Sequence, residues 1–75
     1  MRTWLKDIRK KANMTQLAVA EMSGIDITSY GKIELGQRRP SPETAKAISS
    51  VLGFEWTAFF PELTENTVSE QRSAS

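Results

Sequence analysis

Gln16-Leu17-Ala18-Val19-Ala20-Glu21-Met22-Ser23-Gly24-Ile25-Asp26-Ile27-Thr28-Ser29-Tyr30-Gly31-Lys32-Ile33-Glu34-Leu35 is the stretch that decides how this chain folds. It reads as two helices of about two turns each, joined by a very short turn. Packing two such helices at a steep angle sets three requirements. The turn needs a residue with φ > 0, and Gly24 supplies it at no steric cost. The first helix needs a small side chain where the second crosses it, and Ala20 stands there. The inner faces must be apolar, and Val19, Ile25, Tyr30 and Ile33 have that spacing, with Tyr30 and Ile33 on one face of the second helix.

Apolar spacing alone would fit a generic helical hairpin equally well. The joint fit of Thr15-Gln16, Ala20, Gly24, Ile25, Tyr30 and Ile33 selects a helix-turn-helix, the motif whose second helix enters the DNA major groove. The flanking sequence supplies three more helical segments. Thr3 caps a first helix running to about Ala12, with Leu5, Ile8 and Ala12 at i, i+3, i+7 as its apolar stripe and Asn13 as a left-handed stop. Thr15 caps the second, Gln16 to Met22, with Val19, Ala20 and Met22 able to face inward. Asp26 caps the third, Ile27 to Leu35, which Gly36 closes. After the loop Gln37-Arg38-Arg39-Pro40, Ser41 caps a fourth helix with Pro42 at its first position, where a missing N–H costs nothing. That helix carries Ala45, Ile48, Val51 and Leu52, stops at Gly53, and is followed by Phe54, which suits a Schellman ending. A last short helix, Trp56 to Phe60, ends before Pro61. The expected fold class is all-α, a compact five-helix domain over residues 1–60. Residues 61–75, rich in Ser, Thr, Glu and Asn with Leu63 and Val68 as the large aliphatics, read as a flexible polar tail.

Composition narrows the function classes. Seventy-five residues and 8.4 kDa make one domain. The chain has no His and no Cys. That removes a disulfide framework, thiolate and imidazole metal ligands, a thiol nucleophile and the His-based triad. No nucleophile–base pairing is visible among Tyr30, Lys32, Ser29 and the carboxylates. No catalytic residue, cofactor or metal is therefore expected. The charged start, Met1-Arg2-Thr3-Trp4-Leu5-Lys6-Asp7, has no apolar signal core, and no run approaches the roughly 20 apolar residues of a membrane span. A soluble cytoplasmic protein is the expectation. The net charge of +1 hides an asymmetry: residues 1–39 hold eight Lys/Arg against four Asp/Glu. Such a basic half marks a nucleic-acid footprint only if the fold gathers it on one face; otherwise it is an ordinary solvated surface.

The pieces Ile8-Arg9, Met14-Thr15-Gln16, Val19-Ala20, Gly24-Ile25, Ile33-Glu34-Leu35-Gly36, Arg39-Pro40-Ser41 and Leu52-Gly53-Phe54 together resemble the Cro/Xre (lambda-repressor-like) DNA-binding domain family over about residues 3–60. The chain departs from the family pattern at Ser23, Gly31, Leu35 and Glu55. The resemblance implies that the third helix reads bases. A wheel at about 100° per residue puts Ile27, Thr28, Gly31 and Lys32 on the face opposite Tyr30 and Ile33. Lys32 can donate to guanine O6/N7, while Ile27 and the Thr28 methyl can meet thymine methyls. Ile27 has the alternative of packing under the preceding loop, and Gly31 reads either as a site of close backbone approach or as drift. Gln16 can meet a phosphate through its backbone N–H and its side-chain amide. Thr15 reads as a cap or a DNA contact, Ser29 as a phosphate ligand or a solvated hydroxyl, and Arg38 and Arg39 as phosphate ligands or solvated loop cations. The resemblance also implies a partly buried Arg9–Glu34 ion pair and a two-fold dimer built on the C-terminal region. Phe59 is expected in the core, with Trp56, Phe60 or Leu63 at a dimer edge.

The function this implies is a sequence-specific transcription regulator, a homodimer binding double-stranded DNA at an inverted repeat. The alternative is a protein-interaction module, such as an antitoxin-like chain that grips a protein partner. Dependence of binding on salt separates the two, because phosphate contacts release counterions.

Overall fold

A computed structural model describes residues 1–62. The chain forms α1 (Thr3–Lys11), α2 (Gln16–Ser23), α3 (Ile27–Leu35), α4 (Pro42–Leu52) and a single 3-10 turn, Trp56–Phe59. The described residues are thus all-helical, with four α-helices where five were expected. Only four residues separate Glu55 from Phe60. The short i→i+3 bonds Ala58 N–H to Glu55 O (3.0 Å) and Phe60 N–H to Thr57 O (2.8 Å) close that length better than an α-turn. Among the described residues no helix is long and apolar enough to cross a membrane.

Local chemistry sets most of the boundaries. Thr15, Asp26 and Ser41 each accept a hydrogen bond from the backbone N–H three residues on, at 3.1, 2.9 and 3.2 Å. These bonds satisfy donors that a helix start leaves unpaired. Asn13 takes φ 57 and ends α1 as expected. Thr3 does not cap α1. The cap is Arg2, through its backbone carbonyl and with no side-chain bond. The Arg2 N–H donates to Glu34 O at 2.8 Å, so α1 begins where the chain leaves α3.

The core is Leu5 from α1, Val19 and Ala20 from α2, Tyr30 and Ile33 from α3, Ala45 and Ile48 from α4, and Phe59 and Phe60. Leu5, Val19, Ile33 and Ile48 each contribute about 1.5–3 kcal/mol of transfer free energy. Trp4 meets Phe54 and Phe59 edge-on and the two phenylalanine rings are tilted to each other, with centroids 5.2–5.7 Å apart. This cluster closes the domain where the 3-10 turn returns to α1. Two inward expectations and one outward one need correction. Ala12 lies past the end of α1 and is exposed. Met22 is 66% exposed, because the core of α2 ends at Ala20. Phe60, assigned to a dimer edge, is 3% exposed and belongs to the core. The remaining dimer candidates divide: Trp56 is half-buried with its ring 5.7 Å from Phe60, and Leu63 lies outside the described residues. Of the expected tail, Pro61 and Glu62 are described; they are helical, and Glu62 pairs with Arg39.

Candidate nucleic-acid interface

The corner between α2 and α3 is made by Gly24 at φ 76, ψ 26. Ile25 N–H returns to Ala20 O at 3.0 Å across this corner. α3 leaves it with Tyr30, Ile33 and Glu34 buried and with Ile27, Thr28, Lys32 and Leu35 exposed. The buried side is continuous with the core, so the exposed side projects from the molecule. Ile27 is 44% exposed and is not covered by the preceding loop. Gly31, half-buried, lies in the middle of this face beside the start of α2. A Cβ added there would stand 4.0 Å from the Gln16 side-chain oxygen.

Behind that face lies a polar network. Arg9 Nε donates to Glu34 Oε2 at 2.7 Å and Arg9 Nη2 to Glu34 Oε1 at 3.2 Å, while Nη1 donates to Met14 O at 3.0 Å. Gln16 Nε2 adds a third bond to Glu34 Oε1 at 3.0 Å. The expected ion pair is therefore present, with a partner not foreseen: one carboxylate joins α1, the first residue of α2 and α3. Burial alone would raise the Glu34 carboxyl. The bonds from Arg9 and then Gln16 outweigh burial and hold it below the ordinary carboxylate range. The bond to Glu34 in turn raises Arg9. The Tyr30 hydroxyl lies buried beside this pair and meets no hydrogen-bond partner among the described residues. Burial first, and the adjacent Glu34 carboxylate second, hold it protonated well above its usual value.

The basic residues around α3 are individually positioned. Ser29 Oγ donates to Asp26 Oδ1 at 2.7 Å and accepts from Arg38 Nη1 at 3.1 Å. Its hydroxyl is used inside the protein, where it ties Arg38 to the cap of α3. The Ser29 hydroxyl and backbone N–H hold the Asp26 carboxyl below its ordinary value. Arg39 is exposed, with its guanidinium carbon 4.8 Å above the Phe60 ring and its edge paired to Glu62. Arg38, Arg39, Asp26 and Ser29 border a groove of about 470 Å³ that reaches the first turn of α4 at Ser41 and Thr44.

Arg2 is the residue sequence reading missed. Its Nη1 donates to Ile33 O at 2.6 Å and to Arg38 O at 3.2 Å, and its guanidinium lies 5.6 Å from the Phe59 ring centroid. A cation thus closes the negative end of α3 and holds the loop that carries Arg38 and Arg39. Burial, and then the neighbouring charge of Arg39, lowers Arg2 from its ordinary value. No local pattern signals a contact that spans 31 positions.

A glycine corner, a buried inner face and a projecting outer face are the geometry of a helix-turn-helix, and the profile of the helix-turn-helix family matches residues 5–59. The chain belongs to the Cro/Xre-like helix-turn-helix family. This helix-turn-helix chain is also similar to an HTH-type transcriptional regulator of Bacillus subtilis (strain 168), YqaF, described as uncharacterized. The two are 42% identical over 67 residues, covering 89% of this chain and 88% of that one. No solved structure matches.

Within the helix-turn-helix frame, Thr15 is the cap of α2 and stays exposed. Thr28 and Lys32 are together on the open face of α3. Gln16 stands at the start of α2 with one amide N–H committed to Glu34 and the second still available.

Proposed function

We propose that the protein is a sequence-specific DNA-binding transcription regulator that lays α3 in the major groove. The observation that carries this reading is the two-sidedness of α3. Tyr30, Ile33 and Glu34 are sealed into the domain while Ile27, Thr28 and Lys32 stand open, flanked by Gln16 on one side and Arg38 on the other. Lys32 donates to guanine O6/N7, and Ile27 and the Thr28 methyl contact thymine methyls. The Gln16 backbone N–H and its second amide N–H meet a backbone phosphate at the start of α2. Thr15 has already spent its oxygen on the cap, and its hydroxyl hydrogen is left to donate to the same strand. Arg38 and Arg39 take phosphates on the far side of α3, with Ser29 and Arg2 fixing the loop between them.

One recognition helix reads a few base pairs. A two-fold dimer, with helices about 34 Å apart, reads two half-sites one turn of DNA apart and turns modest affinity into an operator. Trp56 and Leu63 are the residues we assign to that contact.

Enrichment of random duplexes on the purified protein tests the whole reading in one experiment. The expected product is an inverted repeat whose centres are one helical turn apart. Lys32→Ala then relaxes preference at one base position, while Arg38→Ala weakens all sequences alike. Recovery of no preferred sequence, with binding insensitive to salt, supports a protein-interaction module instead.

A further inference from the structure

Arg39 is held on two sides. Its guanidinium lies over the Phe60 ring, 4.8 Å from guanidinium carbon to centroid, and Phe60 is buried in the core. That contact anchors the guanidinium on one side and leaves its other N–H groups to meet an anion. Glu62 Oε2 meets them at Arg39 Nη2. The geometry of guanidinium and carboxylate is the geometry of guanidinium and phosphate, planar donors facing two oxygens of one anion. The pair is reachable from solvent, with side chains 63% and 47% exposed. An exposed pair of this kind is weak enough for another anion to displace. Arg2, stacked on the adjacent Phe59 ring, adds a second positive charge close to Arg39. Taking Glu62 away leaves two neighbouring cations short of a counter-charge.

We propose that Glu62 is a built-in competitor for DNA phosphate at Arg39, an autoinhibitory contact that must open before the α3–α4 loop engages the duplex. The inference rests on the reading of Arg39 as a phosphate ligand. Glu62 stands in for phosphate in the free protein and lowers the affinity for any duplex, whatever its sequence, because the contact it blocks carries no base information. Its effect is greatest at low salt, since salt screens the ion pair and the phosphate contact together.

Titrating a short random-sequence duplex against the full chain over a salt series, read by fluorescence anisotropy, tests this with Glu62→Gln, Arg39→Ala and the double variant. Glu62→Gln is expected to bind about two- to fivefold tighter at low salt, the range an exposed ion pair can supply. Arg39→Ala is expected to bind more weakly, with a salt slope shallower by about one. In the Arg39→Ala background the gain from Glu62→Gln disappears. Unchanged affinity of Glu62→Gln, with Arg39→Ala still weakened, overturns the competition and leaves the phosphate role of Arg39 intact. Equal tightening with and without Arg39 overturns it as a general effect of charge. Unchanged affinity of Arg39→Ala removes the phosphate role itself, and the competition with it. Thermal melts of each variant confirm that the comparison is between folded proteins.

Discussion

Gln16 Nε2 and Glu34 Oε1 are 3.0 Å apart, so the residue that opens α2 is held by the same carboxylate that Arg9 grips from α1. The contact joins packing to recognition. Glu34 fixes where α3 sits against α1, and it also fixes the orientation of the Gln16 amide, the group we propose as a phosphate ligand.

Glu34→Ala strands Arg9, whose side chain is 11% exposed, and releases Gln16. Breaking one side of such a buried pair costs about 3 kcal/mol, or a fall in Tm of more than roughly 10 °C in a domain this small. Replacing both partners, Arg9→Met with Glu34→Leu, is expected to recover most of that loss, because two uncharged side chains leave no buried charge unpaired. Duplex affinity is expected to stay low in the double variant, since Gln16 remains unheld. Calorimetry and anisotropy on the same samples separate the two effects, and an unchanged Tm in Glu34→Ala contradicts the account.

The Glu34 carboxyl is held below its ordinary value of 4.5. A group with a depressed folded-state value contributes stability that is complete above the unfolded value and is lost as pH falls through the folded one. The domain is therefore expected to hold its Tm from neutrality down to about pH 4.5 as far as this group is concerned, and to lose it below. In Glu34→Gln the acid-side loss is smaller. Melts taken at intervals across the acid range check the difference.

Tyr30 is the chain's single tyrosine, so its ionisation can be followed by ultraviolet absorbance without ambiguity. Burial raises its hydroxyl above the ordinary 10.0, and the sign is opposite to that of Glu34. Stability is complete below pH 10 and declines above it. Phenolate is expected to appear together with unfolding and not before. Tyr30→Phe removes a buried hydroxyl that has no partner among the described residues. The change is expected to leave stability within about 1 kcal/mol of the parent and to delay alkaline unfolding.

Arg2→Ala removes two hydrogen bonds to the carbonyls of Ile33 and Arg38, together with the stacking on Phe59. Bonds from a charged donor justify an expected loss of about 1–2 kcal/mol. Hydrogen exchange is expected to accelerate most at Gly36–Arg39, the loop that Arg2 secures. Uniform acceleration across all helices points instead to general destabilisation.

Gly31→Ala adds a methyl group 4.0 Å from Gln16 Oε1, an ordinary contact distance. Removing a helix-interior glycine is worth up to about 1 kcal/mol. Stability is expected to rise while duplex affinity falls, because position 31 sits in the middle of the face we propose to enter the major groove. A gain in both assigns Gly31 no part in that approach.

The α2–corner–α3 unit was legible in the sequence because its determinants are local. Caps at Thr15 and Asp26, the glycine corner and the spacing of Tyr30 and Ile33 each act within a few residues. The outward face followed from the same periodicity. What escaped was set by contacts distant along the chain. Thr3 has the chemistry of a cap, yet the cap falls at Arg2, whose backbone N–H is pinned to Glu34 O. Met22 is spaced like Val19, yet the core of α2 does not reach it. The sequence leaves Ser29 and Arg38 each as a phosphate ligand or a solvated group, and only the folded loop shows one hydroxyl serving the other's guanidinium. Composition marked the C-terminal aromatics as important without separating Phe60, which is core, from Trp56, which is half-buried.

The corner at Gly24 has a stereochemical consequence. Its φ of 76 is strained for any natural side chain, while the space where a Cβ would project is open, with nothing within 4 Å. The obstacle to substitution is thus handedness and not crowding. A D-alanine introduced there by chemical ligation would find its own preferred backbone region, restrict the unfolded chain and firm the bend by about 0.4–1 kcal/mol. At Gly36, φ 81, handedness is joined by crowding, since an L side chain's Cβ would also stand 3.2 Å from the Met1 nitrogen.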